Sequence, residues 1–264
     1  MTGIGSILLV WICTSAAMLG GWLHQRHTRN AGIVDVIWSA AMAASALIYA
    51  ATGSGATLPR VLVALMGAIW GIRLALHVWH RVRNESEDGR YAYLRAHWNG
   101  DQNKFLLFFM AQGVLTALFS IPFWIAAHNP VAVWTPWTTL AVATWIIAIG
   151  GEAIADAQLA AHRADPAQRG RTCRSGLWRY SRHPNYFFEW LHWFAYVFLA
   201  VGAGAIWVGV SLLGPALMLG TLYWLTGIPF TEAQALRSRG DDYREYQRTT
   251  SVLIPWFPRA PSDS

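Results

Sequence analysis

Long blocks of about twenty residues, nearly free of charge, recur from one end of the chain to the other, and a spanning helix needs a block of that length. The blocks lie at about 5–23, 33–52, 59–79, 105–127, 137–159, 187–207 and 209–229. In a bilayer the backbone finds no water to bond, so such segments fold as helices that satisfy their own amides. The expected fold is therefore all-α and integral to a membrane, with about seven transmembrane helices. Residues 187–230 form one apolar run, broken by glycines and Pro215. A single helix of that length would overshoot the bilayer, so a divide is expected near residues 202–204. The first block has no positive region before it and no small-residue cleavage pattern, which makes it a span rather than a leader.

Charge supports the same reading. Only 13% of residues are charged, against roughly 25% in soluble domains, which excludes a disordered chain and most soluble enzymes. The net charge is +6, and the 20 basic residues are all Arg except Lys104. They gather in the connections: around Arg26 and Arg29, over 81–104, over 163–182, and beyond Arg237. The connections at 53–57, 128–136 and 202–206 carry none, and this alternation predicts an outside N-terminus and a cytoplasmic C-terminus. No repeat or linker divides the chain, so one domain is expected over 1–257, with a disordered tail at 258–264. The two cysteines, Cys13 and Cys173, and the scattered His162, His183 and His192 form no metal-ligand set, so no metal is expected.

Several polar residues fall where lipid would not welcome them. Asp35 stands near the start of the second span, where an ionised carboxylate must pair, face a polar cavity or keep its proton. A retained proton would let it donate to a substrate oxygen; pairing with an arginine such as Arg73 is the plainer alternative. Arg73 lies in the third span with His77 four residues on and Trp70 three before, on one helical face. Snorkelling to the interface would also account for Arg73. Glu152, Asp156 and Arg163 return to one face of the fifth span, which could accept hydroxyls or an amide and grip a phosphate, or serve as a salt-bridge stripe.

The most specific run covers residues 176–190, with Trp178, Arg179, Arg182, His183, Pro184, Asn185, Tyr186 and Glu189. Pro184 suits a first helical turn and puts Asn185 and Glu189 one turn apart on the same face. Free N–H groups at that helix start, with Arg171, Arg174, Arg179 and Arg182, read as a phosphate-binding mouth; a basic loop against lipid headgroups is the alternative. After the last span come Glu232 and then Tyr243 and Tyr246, three apart, which could cover a planar ring or anchor an amphipathic tail. Fingerprints for soluble nucleotide folds, P-loops and hydrolytic triads are absent from the sequence.

Together, the 176–190 run, the tail pattern Glu232, Asp242, Tyr243, Glu245, Tyr246 with Ile254, Pro255 and Trp256, and the pairs Val34-Asp35, Trp70-Gly71 and Arg90-Tyr91 resemble the steroid 5-alpha-reductase superfamily, in particular its bacterial membrane-protein branch. The resemblance implies a seven-helix fold in the bacterial inner membrane, open to the cytoplasm. There NADPH reduces a carbon–carbon double bond conjugated to a carbonyl in a sterol-like or terpenoid substrate. It implies that Asp156, Arg163, Arg171, Trp178, Asn185, Tyr186 and Glu189 hold the cofactor and that Glu232, Tyr243 and Tyr246 close over it. Asp35, Arg73 and His77 would then form the reacting end. In the steroid reductases a Tyr and a Glu act as acid at the carbonyl; here Trp70 stands in the third-helix place and Asp35 replaces the Glu. The same mouth is similar to isoprenylcysteine carboxyl and phospholipid methyltransferases, which bind S-adenosylmethionine, so methyl transfer is a second reading. A non-catalytic lipid-binding module is a third. Partners beyond a lipophilic substrate and membrane lipid are not implied.

Overall fold

The computed structural model describes residues 3–225 and 227–259. Twelve α-helices occur among the described residues, and no strand. They are α1 (Gly3–Thr28), α2 (Ile33–Thr52), α3 (Thr57–Asn84), α4 (Gly89–His97), α5 (Gln102–Phe119), α6 (Ile121–Ala127), α7 (Pro136–Ala164), α8 (Pro184–Leu199), α9 (Ala205–Ser211), α10 (Leu213–Gly220), α11 (Ile228–Arg239) and α12 (Asp241–Thr249). Among the described residues, six segments are long and apolar enough to cross a membrane: Ile4–Thr28, Ile33–Thr52, Thr57–Asn84, Gln102–Ala127, Pro136–Ala164 and Ala205–Arg239. The protein is all-α and integral to a membrane. Its spans carry exposed apolar rows, such as Val61, Leu65, Ile69, Ile72 and Leu76 on α3, that meet lipid.

The expected windows and the helices differ in three places. The window at 105–127 is α5 followed by α6, with a break at Ser120, because Pro122 begins the second helix without an N–H to extend the first. The window at 187–207 becomes α8, which starts at Pro184 and has 16 residues. At about 1.5 Å per residue it rises roughly 24 Å, short of the ~30 Å hydrocarbon core. The last window is a succession of α9, α10, a π-helical turn at Thr221–Leu225 and α11. The expected divide near 202–204 is a turn. Of the expected disordered tail, residues 260–264 lie outside the described residues, while the Arg259 N–H bonds to the Thr249 carbonyl at 2.8 Å.

The chain forms two compact units, residues 1–139 with 196–214 and residues 140–195 with 215–264. In the first, α2 packs along α3, and α1 against α5 and α2. Gly67 and Gly71, one turn apart on α3, face Ala46, Ala43 and Ser39 of α2. A Cβ at Gly71 would lie 2.8 Å from the Ser39 carbonyl oxygen and 2.9 Å from the Ala43 nitrogen. Small residues at that spacing let two helix backbones approach where lipid offers no hydrophobic drive. Trp38 fills the space beside this contact, edge-on to Trp70 at 6.0 Å and to Phe119 at 5.5 Å. Each pairing is perpendicular, the geometry aromatic quadrupoles favour.

In the second unit, α11 and α12 meet at Gly240 and bury Ala235, Tyr243 and Tyr246 between them. The connection from α7 to α8 lies on α7, where the indole N–H of Trp178 donates to the Ala155 carbonyl at 2.9 Å and Leu177 N–H to the Gln158 side chain at 2.9 Å. A buried indole keeps its donor satisfied in this way and anchors the loop.

Candidate functional site

In the first unit Asp35 occupies the first turn of α2. Its carboxylate accepts from the Arg90 guanidinium at 2.9 Å and from the Tyr91 hydroxyl at 2.7 Å. The pairing reading named Arg73; the partner the structure gives is Arg90, from the short helix α4. Two acidic residues of the α3–α4 connection hold α4 in place. Asp88 caps it, accepting from the Arg90 N–H and side chain at 3.0 Å and from Arg81 at 3.1 Å. Glu87 takes a two-pronged bond from Arg95 at 2.8 and 3.0 Å and the Ala31 N–H at 2.7 Å, which ties α4 to the α1–α2 turn. Fork-on-fork pairing of this kind fixes orientation as well as charge.

This geometry sets the ionisation of α4. Burial alone would raise the Asp88 carboxyl, but hydrogen bonds and charge from Arg90, then Arg81, hold it below the ordinary carboxylate range. Burial, and then the Asp35 charge, push the Tyr91 phenol well above its usual value, so it stays a donor through neutral pH. Arg73 is half-buried on α3 and His77 is exposed. Tyr91, buried at 3% exposure, escaped sequence reasoning as a site residue. A phenol three positions after an acidic N-cap looks like a helix-start feature until the fold turns it onto Asp35.

The second unit brings together residues far apart in sequence. The Asn185 amide, at the start of α8, donates to the Asp156 carboxylate of α7 at 3.2 Å. Asn185, Tyr186 and Glu189 are half-buried, as is Asp156, and Arg163, in the last turn of α7, and Arg171, in the connection beyond it, are exposed. The Tyr186 hydroxyl lies 3.2 Å from the Thr231 hydroxyl.

Beside them stands a denser knot. Arg182 donates to the Glu232 carboxylate at 2.7 Å and to the Gln247 and Thr250 carbonyls at 2.7 and 3.1 Å, while its own N–H reaches the Ser251 carbonyl at 2.8 Å. Glu232 also accepts from the Gln247 amide at 2.8 Å and the Tyr243 hydroxyl at 3.4 Å, with His183 Nε2 at 3.3 Å. The Tyr246 hydroxyl donates to the Trp178 and Ser181 carbonyls. These bonds correct the expected mouth: Arg182 spends its guanidinium on the tail rather than on an anion. Tyr243 and Tyr246 are likewise interior groups that hold α12 down, 3% and 2% exposed, rather than rings laid over a ligand. Trp178 and Glu232 serve the same packing. Arg174 is also engaged, with Asp242 at 2.9 Å and Glu245 at 3.2 Å.

His183 carries a pH dependence. Burial holds its imidazole below the usual histidine value, although the nearby Glu232 carboxylate pulls the other way and Arg182 adds to the lowering. An unfolded histidine takes up a proton near pH 6.5, and the folded one resists, so the unfolded state binds more protons as the pH falls through that value. Folded stability is therefore retained above about 6.5 and declines below it. Asp88 and Asp242, both held below the usual carboxylate range, add a second decline under about pH 4. Thermal melts in detergent between pH 8 and 5 are expected to fall on acidification, and His183→Gln to flatten that slope. An unchanged slope would remove His183 as the cause.

Fold and polar clusters thus define an all-α integral membrane protein with two polar centres built at helix ends. The chain belongs to the DUF1295 family, described as a protein of unknown function, which matches residues 21–250. No curated protein and no solved structure matches it.

Proposed function

We propose that the protein is an NADPH-dependent reductase of a carbon–carbon double bond conjugated to a carbonyl in a lipophilic, sterol-like or terpenoid substrate. It works in the bacterial inner membrane with its Arg-rich connections and cofactor side on the cytoplasm. The observation that carries this reading is the meeting of Asp156 and Asn185, 29 residues apart in sequence, at the mouth of α7 and α8. A carboxylate, a carboxamide and the half-buried Glu189 one turn on are the acceptor and donor types that a nicotinamide amide and ribose hydroxyls require. The exposed Arg163 and Arg171 suit a 2′-phosphate, which a guanidinium grips in two-pronged fashion. The residues therefore fit the dinucleotide, on a smaller set than the resemblance implies, since Trp178, Glu232, Tyr243 and Tyr246 serve the fold.

A nicotinamide held there supplies a hydride to the substrate's β-carbon. The chain must meet the negative charge that develops on the carbonyl oxygen. Within the first unit Asp35 and Tyr91 form a carboxylate–phenol pair, the group types such a charge calls for, and Tyr91 offers the phenol that Trp70 lacks. In this reading the phenol proton, now donated to Asp35, is the one offered to the oxyanion, and Arg90 holds the Asp35 carboxylate in place.

Calorimetric titration of detergent-purified protein with NADPH, and separately with S-adenosylmethionine, tests the reading. Saturable NADPH binding is expected, weakened about tenfold or more in Asp156→Ala and Asn185→Ala, as loss of a hydrogen bond to a charged or buried group commonly costs. Binding of S-adenosylmethionine alone would make the protein a methyltransferase, and binding of neither would leave a lipid-binding module.

A further inference from the structure

The second unit carries an open groove of about 590 Å³ that the reductase reading does not use. Ile146, Ile147, Gly150, Gly151 and Ile154 of α7 form its floor with Phe188 of α8. The three isoleucines are more than half exposed, so the groove faces the lipid-contacting side of α7. Gly151 is occupied, because a Cβ there would run into the Phe188 ring at 2.4 Å; Gly150 has nothing within 4 Å. Beside Gly150 the floor is open, with room for an added side chain to begin.

One end of the groove is polar. Gln158, Arg179 and Tyr180 close it on the side of the Arg-rich connection. The turn bearing Arg179 and Tyr180 is tied to α7 and to the tail by hydrogen bonds. Gly176 sits at φ +60 against the Gln158 side chain, which accepts the Leu177 N–H at 2.9 Å, and the Tyr180 carbonyl accepts the Trp256 N–H at 2.9 Å. Arg179 is exposed and makes no ion pair with an acidic side chain among the described residues; its guanidinium lies 6.0 Å over the Tyr180 ring. A preformed cationic end without a counter-charge, continuous with an apolar trough, is complementary to an anionic amphiphile. Ile146 to Gln158 spans roughly 18 Å of helix rise. Half of a ~30 Å hydrocarbon core is about 15 Å, so the trough matches one leaflet.

We infer that this groove binds one anionic phospholipid of the leaflet on the Arg-rich side, its acyl chain along Gly150 and its phosphate on Arg179. The site is independent of the cofactor reading and would persist if NADPH failed to bind. The test is native mass spectrometry and thermal melting of the full chain in nanodiscs of phosphatidylglycerol or phosphatidylcholine. Wild type is expected to retain phosphatidylglycerol several-fold over phosphatidylcholine and to melt higher in it. Gly150→Trp and Arg179→Gln should each abolish that preference while melting like wild type in phosphatidylcholine. Should Gly150→Trp fold poorly, Arg179→Gln alone decides. Equal preference in wild type and Arg179→Gln would overturn the site, as would equal stabilisation by inorganic phosphate in phosphatidylcholine. So would disulfide-linked dimers of Ile147→Cys, which would mean that a second copy covers the face.

Discussion

Arg182→Ala is expected to abolish the folded second unit or lower its melting temperature steeply. The guanidinium is largely buried and bonded through Nε and Nη1, with side-chain exposure of 9% against 15% for Glu232. Removing it strands a carboxylate in a largely buried place and leaves the Gln247 and Thr250 carbonyls without their donor. Breaking a buried pair from one side typically costs about 3–5 kcal/mol, a large share of a stability of roughly 5–15 kcal/mol. Arg182→Lys should rescue little, because a single ammonium cannot serve the Glu232 carboxylate and two carbonyls from the positions of Nε and Nη1. Arg179→Ala, which breaks no ion pair, is the comparison. Melting of Arg182→Ala within a degree or so of wild type, on the scale where 1 kcal/mol moves a domain of this size by about 2–4 °C, would show that the knot contributes nothing net.

Loss of turnover without loss of cofactor affinity is expected from Asp35→Asn and Tyr91→Phe, with any conjugated enone that the protein reduces. On the proposed reading, both variants leave Asp156, Asn185 and the Arg-rich connection intact, so NADPH titration should be unchanged. Each removes part of the carboxylate–phenol pair, whose hydrogen bond is 2.7 Å. Groups that donate to a developing oxyanion, or transfer a proton, commonly contribute about 10²–10⁴-fold, and a fall of that order in kcat is anticipated. Tyr91→Phe is the sharper probe, since it deletes one oxygen from a buried ring. Asp88→Asn weakens the α4 cap and should lower the melting temperature more than the turnover. Full activity in Tyr91→Phe would take the phenol out of the mechanism and leave Asp35 without its partner there.

Hydropathy carried most of the fold, because spanning a bilayer leaves so little choice of backbone structure. The spans at α1, α2, α3 and α7 and the turn near 202–204 were legible as apolar length and glycine content. The break at Ser120 and the shortness of α8 were not, since an apolar window does not record where hydrogen-bonding ends. Asp156 and Asn185 were both legible as unusual residues, one in the last third of α7 and one at the start of α8, but nothing in their spacing showed that they meet. Arg182 was misjudged for a related reason: a basic loop residue looks free until the tail that consumes it is in view. Tyr91 was passed over because α4 is short and polar, and only its fold-back onto the start of α2 gives the phenol a carboxylate.

The amino-acid sequence by itself determined a membrane-embedded helical protein with most of its arginines in the connections, because transfer energies act on each segment locally and need no partner. Tertiary structure alone decided which charges are spent and which stay available. Ion pairs such as Arg90 with Asp35 and Arg182 with Glu232 join residues more than fifty and exactly fifty positions apart in sequence, and Coulomb and hydrogen-bond energies depend on distance in space.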